Sequence, residues 1–518
     1  MKNITIPAFG ESTCAENREN KSSRVWMISD AKAESFTAYW DLLVEAGYTQ
    51  KEFFRRDTHW YASFVDGECA YFMNYYPALK ELMIVCDEKS IYHSYEDVAG
   101  KSIVEPQITQ VELFIYGCSY VIRLSDGRFI VIDGGYSYEE EPEKLLECLE
   151  SGSPFEKPVI ASWIITHPHS DHYHAVLGFL QRFSDRVDIQ RFMLNFPASD
   201  DAEHYPALIP APDTEDAVPR NGKMDLLHEL IEKNGAPCYT LHSGQQYQIG
   251  DARCEILACM DDTIHRSKNV NTTSVVVRME LGGQVILWAS DASFGSAKLA
   301  QRHGTYLKSD ILQIPHHGFQ SGSAEAEIAG YELIRPEVCF YPNNEFYGFT
   351  ASCLFRRGTK HIMTMPCVKE FITGAQQRTI TLPYKAPEYK RRELDEKVRM
   401  GERASGARTW IFSDLNSSCP EDFEFTILNM TYIDAQIWVE LFFEGRPQVI
   451  RWIRANVPAL SLRHVNVTSD DVEHDTVVHN HMTVKERGIP ENAPFAVRFT
   501  SELPFVVTSK RATGLHFN

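Results

Sequence analysis

An apolar run, Val159-Ile-Ala-Ser-Trp-Ile-Ile165, passes through Thr166 directly into His167-Pro-His169-Ser-Asp171-His172. The run has the length and β-branched content of a buried strand. Its end therefore delivers three imidazoles and a carboxylate to one sheet edge within six residues. Imidazoles this close repel one another once protonated, and no packing need calls for four such groups together. Nitrogen and oxygen donors gathered in one tight turn are what a borderline divalent ion takes. A His-rich surface turn, the competing reading, leaves that density unexplained.

Similar residue types recur where other apolar runs stop. Asp133-Gly134-Gly135 follows RFIVI, Asp291 follows QVILWAS, and His316-His317-Gly318 follows SDILQIP. Alone, each is ambiguous, since an Asp at a strand end is more often a turn residue. Recurrence in one region gives them weight. Around them, VELFIYGCSYVIRL reads as a strand joined to RFIVIDGG through Asp126-Gly127. PEKLLECLE and AVLGFLQRF read as helices, and CYTLHSGQQYQIG, ARCEILAC, TSVVVRMEL and QVILWASDA as further strands. Strands alternating with helices predict a layered α/β domain. Residues 197–222 read as a long loop whose acids, among them Asp200, Glu203 and Asp213, mark a solvated surface more readily than a cleft wall.

The chain has 518 residues, and a prior of roughly 150 per domain suggests about three domains. Residues 1–105 read as a small α+β accessory domain. It holds a strand in RVWMISDA, a helix stopping at Gly47, and a hairpin turning at Asp66-Gly67. The α/β domain covers 106–384. A polar stretch, 385–408, reads as a linker or solvated helix with i,i+4 ion pairs. Residues 409–518 carry strand-like runs (FEFTILNM, AQIWVELFF, FAVRFT, LPFVVT) and predict a β-sandwich-like accessory domain. There, His474, His479 and His481 lack acidic or thiol partners at matching spacing, and a further metal site is not expected.

The balance of 71 acidic against 51 basic residues gives −20. Such a surface repels phosphate backbones, so nucleic acid is not the default ligand, although a local basic groove is compatible with the total. Twelve cysteines lack CxxC pairs and sit mostly in apolar segments, which predicts buried free thiols and a reducing, cytoplasmic compartment. No stretch approaches the roughly 20 apolar residues of a membrane span, and the start lacks a signal-peptide core.

HPHSDH is similar to the HxHxDH signature of the metallo-β-lactamase-fold hydrolases, and the resemblance extends over roughly 108–384. Asp133-Gly134-Gly135 resembles the family's first motif, Asp291 its metal-bridging Asp, and IPHHG its last histidine motif. Within the family, Asn271-Thr-Thr-Ser274-Val, LWASDA and DILQIPHHG look most like the soluble hydrolase domain of ComEC-type competence proteins, with choline-binding phosphodiesterases carrying a similar order. The resemblance implies an αββα sandwich binding two divalent ions, with zinc preferred over manganese or iron. By position, His167 and His169 would hold the first ion, Asp171 and His172 the second, and Asp291 both. His317 would be the last ligand, and His316 would face substrate or support the shell. Asp133 and Gly134 would brace the turn from behind. Asn271 and Ser274 would donate to a bound oxyanion. One departure is a missing middle histidine: only His204, His242 and His265 fall between the motifs. His174 is expected to be a solvated helix-start residue.

The resemblance thus implies a hydrolase using a metal-activated hydroxide, with Asp171 orienting it or taking a proton. A phosphodiester or related small to medium ester is the favoured substrate. Carboxylic esters or lactones are the enzymatic alternative. A binding or assembly protein that keeps the fold is the other. The end domains are the candidates for homo-oligomer contacts.

Overall fold

The structure is a computed structural model describing residues 15–19, 23–66, 69–88, 96–113, 116–136, 140–197, 223–260, 269–295, 298–319, 322–343, 357–374, 376–403, 407–431, 434–445, 451–467, 473–474 and 492–517. The chain forms two compact units, Met1–Asn344 with Met365–Pro387, and Glu345–Thr364 with Glu388–Asn518.

The first unit opens with six strands, β1 (Ala15–Glu19), β2 (Ser23–Ile28), β3 (Thr49–Arg55), β4 (Trp60–Val65), β5 (Cys69–Tyr76) and β6 (Glu81–Glu88). They pair as an antiparallel sheet in the order β1-β2-β6-β5-β4-β3. Helix α1 (Ala33–Glu45) sets Phe36, Tyr39 and Leu43 into one face of this sheet. The opposite face contributes Tyr61, Phe72 and Val85 to the large central core.

That core lies between two further sheets. The first contains β8 (Gln107–Gln110), β9 (Ser119–Arg123), β10 (Phe129–Asp133), β11 (Val159–Ile165), β12 (Asp188–Ile189), β13 (Phe192–Leu194), β14 (Cys238–Thr240) and β22 (Arg378–Thr381). The second contains β7 (Glu96–Val98), β15 (Gln246–Gly250), β16 (Ala252–Ala258), β17 (Val276–Leu281), β18 (Gln284–Trp288), β19 (Ile311–Gln313), β20 (Val338–Tyr341) and β21 (Glu370–Thr373). β10 and β11 pair in parallel, as do β18, β19 and β20, so several strands end at the same edge. Ile130, Ile132 and Ile164 face Val277, Trp288 and Phe340 in the shared core. On the outer face of the first sheet, α2 (Glu141–Gly152), α3 (Ser170–Phe183) and α4 (Met224–Asn234) bury Leu145, Val176 and Leu227. After β18 and β19 come α5 (Leu299–His303) and α6 (Ala324–Ile334), with Tyr331 of α6 edge-on to Phe294 at 5.6 Å. This is an αββα arrangement with β-rich additions, the fold class expected from the sequence.

One expected strand is shorter than its apolar pattern. VELFIYGCSYVIRL forms β9 only from Ser119, because Gly117 and Cys118 are drawn out of the sheet by other partners. Gly117 N–H donates to the Pro342 carbonyl (3.1 Å) and Cys118 N–H to the Asp171 carbonyl (3.0 Å). A Cβ on Gly117 would lie 2.9 Å from that Asp171 oxygen.

The described residues of the second unit form α7 (Arg357–Thr364), α8 (Glu388–Arg403) and eight strands: β23 (Ala407–Asn416), β24 (Glu424–Asn429), β25 (Ala435–Phe443), β26 (Arg451–Val457), β27 (Ser461–Asn466), β28 (Glu473–His474), β29 (Pro494–Ser509) and β30 (Leu515–Phe517). They order as β27-β24-β29-β25-β26-β28, with β23 pairing β29 and β30. The polar stretch forms α8, with Lys390–Glu393 and Arg391–Asp395 ion pairs on its surface. FAVRFT and LPFVVT, expected as separate strands, are one strand. β29 pairs with β25 through Phe495–Thr500 and with β24 through Val506–Ser509, and Pro504 falls where it changes partner.

Candidate metal centre

The ends of four parallel-paired strands of the first unit, β10, β11, β18 and β19, deliver groups to a common point. Asp133 ends β10 in a left-handed conformation (φ 56°). Its two carboxylate oxygens accept from Thr166 N–H and Thr166 Oγ1, both at 2.8 Å. Oδ2 also lies 2.7 Å from His172 Nδ1, which fixes the ring with Nε2 turned inward. Gly134 and Gly135 N–H groups donate to the His172 carbonyl at 2.7 and 3.3 Å. A Cβ on Gly134 would come 2.9 Å from Val176, so the absent side chain lets β10 sit against α3.

Past β11, His167 is fully buried, and its Nδ1 is 3.3 Å from both Thr166 Oγ1 and Ser290 Oγ. Its Nε2 is 3.7 Å from Asp291 Oδ2 and has no hydrogen-bond partner among the described residues. After β19, His316 and His317 take positive φ values (49° and 52°). His317 Nδ1 lies 3.1 Å from the Pro342 carbonyl, so its Nε2 also faces inward. That Nε2 is 2.9 Å from Asp171 Oδ2, 3.3 Å from Asp291 Oδ1 and 3.4 Å from His172 Nε2. His172 Nε2 reaches Asp291 Oδ1 at 3.2 Å.

His167, His172 and His317 thus share one arrangement: Nδ1 is held from behind and Nε2 converges on Asp291. Ligand atoms of His167, His169 and Asp291 lie within 4.8 Å of one another, as do those of Cys118, His172, Asp291 and His317. The two groups share Asp291. A buried imidazole nitrogen without a partner, opposed by carboxylates, fits a divalent ion of borderline softness.

Electrostatics agrees with that fit. Burial opposes charge on His172 and His317, yet Asp291 and the neighbouring carboxylates outweigh it and raise both well above the ordinary histidine value. Burial, reinforced by the His172 charge, drives His167 well below it. Burial would raise the Asp171 and Asp291 carboxyls, but His172 and His317 hold both low.

Asn271 Nδ2 meets His316 Nε2 at 3.1 Å, placing Asn271 beside the partly exposed imidazole of that pair. Ser274 Oγ accepts the Asp291 N–H at 3.3 Å and so braces the Asp291 turn. His174 is not solvated: it is buried within α3, and burial lowers it to about 4. His242 lies in neither ligand group, its N–H donating to Gln245. His204, His265, His479, His481 and the acidic 198–222 segment lie outside the described residues. Sequence reasoning missed Cys118, Thr166 and Ser290. Thr166 immediately precedes the HPHSDH turn, which is the one signal that marked it.

Residues 115–244 match the Metallo-beta-lactamase superfamily. Among solved structures, the metallo-beta-lactamase fold protein YhfI from Bacillus subtilis is 13% identical, over 52% of this chain and 96% of its own, with a TM-score of 0.33. Igni18, a novel metallo hydrolase from the hyperthermophilic archaeon Ignicoccus hospitalis, is 12% identical over 53% and 99%, at 0.32. The Anabaena sensory rhodopsin transducer is 21% identical over 21% and 98%, at 0.16. No curated protein matches this chain.

Proposed function

We propose that this chain is a metal-dependent hydrolase acting on a phosphodiester or a related small to medium ester. The observation that carries it is the convergence of three imidazole Nε2 atoms on Asp291, each ring held from behind at Nδ1. His167, His169 and Asp291 would hold one divalent ion, and His172, His317, Asp291 and Asp171 a second, zinc before manganese or iron. Ions bound there would lower the pKa of water and polarise an ester oxygen.

The chain's own groups divide the remaining work. Asp171, 2.9 Å from His317 Nε2, orients the attacking water and takes its proton. His316 is partly exposed, at 24%, and Asn271 steadies it. It would return a proton to the leaving oxygen. Asn271 donates to substrate, and Ser274 fixes the Asp291 turn.

The similarity to ComEC-type hydrolase domains supports phosphoester over carboxylic ester or lactone. Residues 1–105 and 409–518 would serve as accessory modules, joined to 106–384 and through 385–408, and offer surfaces for self-association. Ten free cysteines among the described residues support a reducing, cytoplasmic setting. No described helix is long and apolar enough to cross a membrane.

A panel of bis(p-nitrophenyl) phosphate, p-nitrophenyl esters and lactones, with metal analysis of the purified chain, tests this reading. Turnover of the phosphodiester, lost in Asp171→Ala and His172→Ala, is expected. Less than about half an equivalent of bound metal against the two expected, or rates unchanged in both variants, overturns it.

A further inference from the structure

We propose that Cys118 supplies a thiolate ligand to the ion held by His172, His317 and Asp291. This rests on the metal-site reading above and gives its two positions different chemistry. One set, His167, His169 and Asp291, is nitrogen and oxygen only. The other adds sulfur.

The Cys118 thiol is 1% exposed, and its Sγ lies with His172, Asp291 and His317 in the group whose ligand atoms all fall within 4.8 Å of each other. A tetrahedral zinc site with one sulfur at about 2.3 Å and nitrogens at about 2.0–2.1 Å spaces its donors roughly 3.3–3.6 Å apart. The four donors, all within 4.8 Å of one another, would close to that spacing on loading.

The backbone around Cys118 is built toward this place. Its N–H is pinned to the Asp171 carbonyl, and that of Gly117 to the Pro342 carbonyl, which also holds the His317 ring. One short segment is therefore tied to both loops that carry the ligands. The close approach needs glycine at 117, where a Cβ would sit 2.9 Å from the Asp171 oxygen.

Asp171 competes for the same position, with its Oδ2 2.9 Å from His317 Nε2. Its Oδ2 is 3.9 Å from His172 Nε2, and it falls outside the mutually close group. With sulfur in the fourth place, the Asp171 carboxylate is left for substrate water. On loading, the Cys118 S–H bond breaks, a sulfur–metal bond forms, and the proton leaves to solvent. A soft donor biases this position to zinc over manganese.

The test is cobalt(II) substitution of the full chain after chelation, read by absorption. Wild type is expected to show ligand-field bands and a near-ultraviolet sulfur-to-cobalt charge-transfer band. In Cys118→Ser the charge-transfer band is lost while the ligand-field bands remain. Cobalt uptake by wild type without that band, or a band that persists in Cys118→Ser, overturns the thiolate and leaves the metal site standing. No cobalt uptake by wild type overturns the metal site itself. Should Cys118→Ser fail to fold, cadmium-nucleus magnetic resonance of the wild type decides. One signal in the sulfur-ligated range is expected, and all signals in the nitrogen–oxygen range overturn the proposal.

Discussion

Two clusters of histidines among the described residues of the first unit differ in what faces them. His59, between β3 and β4, stacks on Tyr76 at 4.9 Å and meets His303 of α5 edge-on at 5.1 Å. Its Nε2 contacts Asn74 Oδ1 at 2.9 Å, and His303 Nε2 the Leu257 carbonyl at 3.2 Å. Both rings leave Nδ1 without a hydrogen-bond partner among the described residues, just as His167 leaves Nε2. An orphaned buried nitrogen is therefore not what marks a metal site. The neighbours are: His59 and His303 face amide and carbonyl oxygens and the Arg56 and Arg302 cations, and burial pushes His59 down to about 3. His172 and His317 face Asp133, Asp171 and Asp291. Neutral imidazoles among neutral acceptors pack. Imidazoles opposed by buried carboxylates form a cluster whose charge an ion can balance.

Substitutions at the two places should separate sharply. His172→Ala or Asp291→Asn is expected to lower hydrolysis by about three orders of magnitude, roughly 4 kcal/mol in the barrier, and to strip bound metal. His303→Gln should leave metal content, measured by elemental analysis, unchanged. Metal lost equally from both sets would break the comparison.

A buried carboxylate without an imidazole gives the third corner. Asp87 of β6 is fully buried and accepts from Gln245 Nε2 at 2.7 Å. Burial raises its pKa to about 7, against the opposing pull of hydrogen bonds from Ser23 and Gln245. The folded chain then binds more protons than the unfolded one between about 3.8 and 7. Stability from this group is full below that window and falls as pH rises through it. Asp87→Asn should match wild type near the bottom of the window and exceed it by roughly 2–4 kcal/mol above the top. Chemical denaturation across pH reads this directly, and parallel curves would sink the argument.

Asp133→Asn probes the support behind the cluster. Asn keeps the size but offers only one acceptor oxygen where Thr166 and His172 use two. Metal affinity is expected to fall about 10–100-fold, measured by chelator competition. An unchanged affinity would show that the His172 ring is held by packing alone.

How much of this was legible before folding depends on where each group sits along the chain. The HPHSDH turn was readable because its ligands are contiguous and follow an unbroken apolar strand. Asp133, Asp291 and His317 were readable through a resemblance, since each merely ends an apolar run. Cys118 was hidden inside such a run, and only two backbone bonds to distant loops show that the run is not all strand. Positive φ at Ser290, His316 and His317 is likewise set by tertiary contact, as where His316 N–H donates to the Ser290 carbonyl at 2.9 Å. The β29 strand reads as two because the polar pair Ser501-Glu502 interrupts its apolar run. Here the pair marks a change of partner. His59 gave no signal, because its partners Asn74 and His303 lie far along the chain.

The smallest effect tests whether the His59 pair is packing and nothing more. His59→Phe preserves the stacking on Tyr76 but leaves the buried Asn74 Oδ1 without its partner. That should cost about 1–3 kcal/mol, the price of an unsatisfied buried acceptor. Adding Asn74→Leu removes the acceptor too, and replacing both partners by apolar groups of similar shape should bring the loss back below about 1 kcal/mol. Such recovery is impossible at the metal centre, where each remaining carboxylate would still need a cation. A double variant less stable than His59→Phe, or either variant losing metal, would mean that the pair does work the packing account omits.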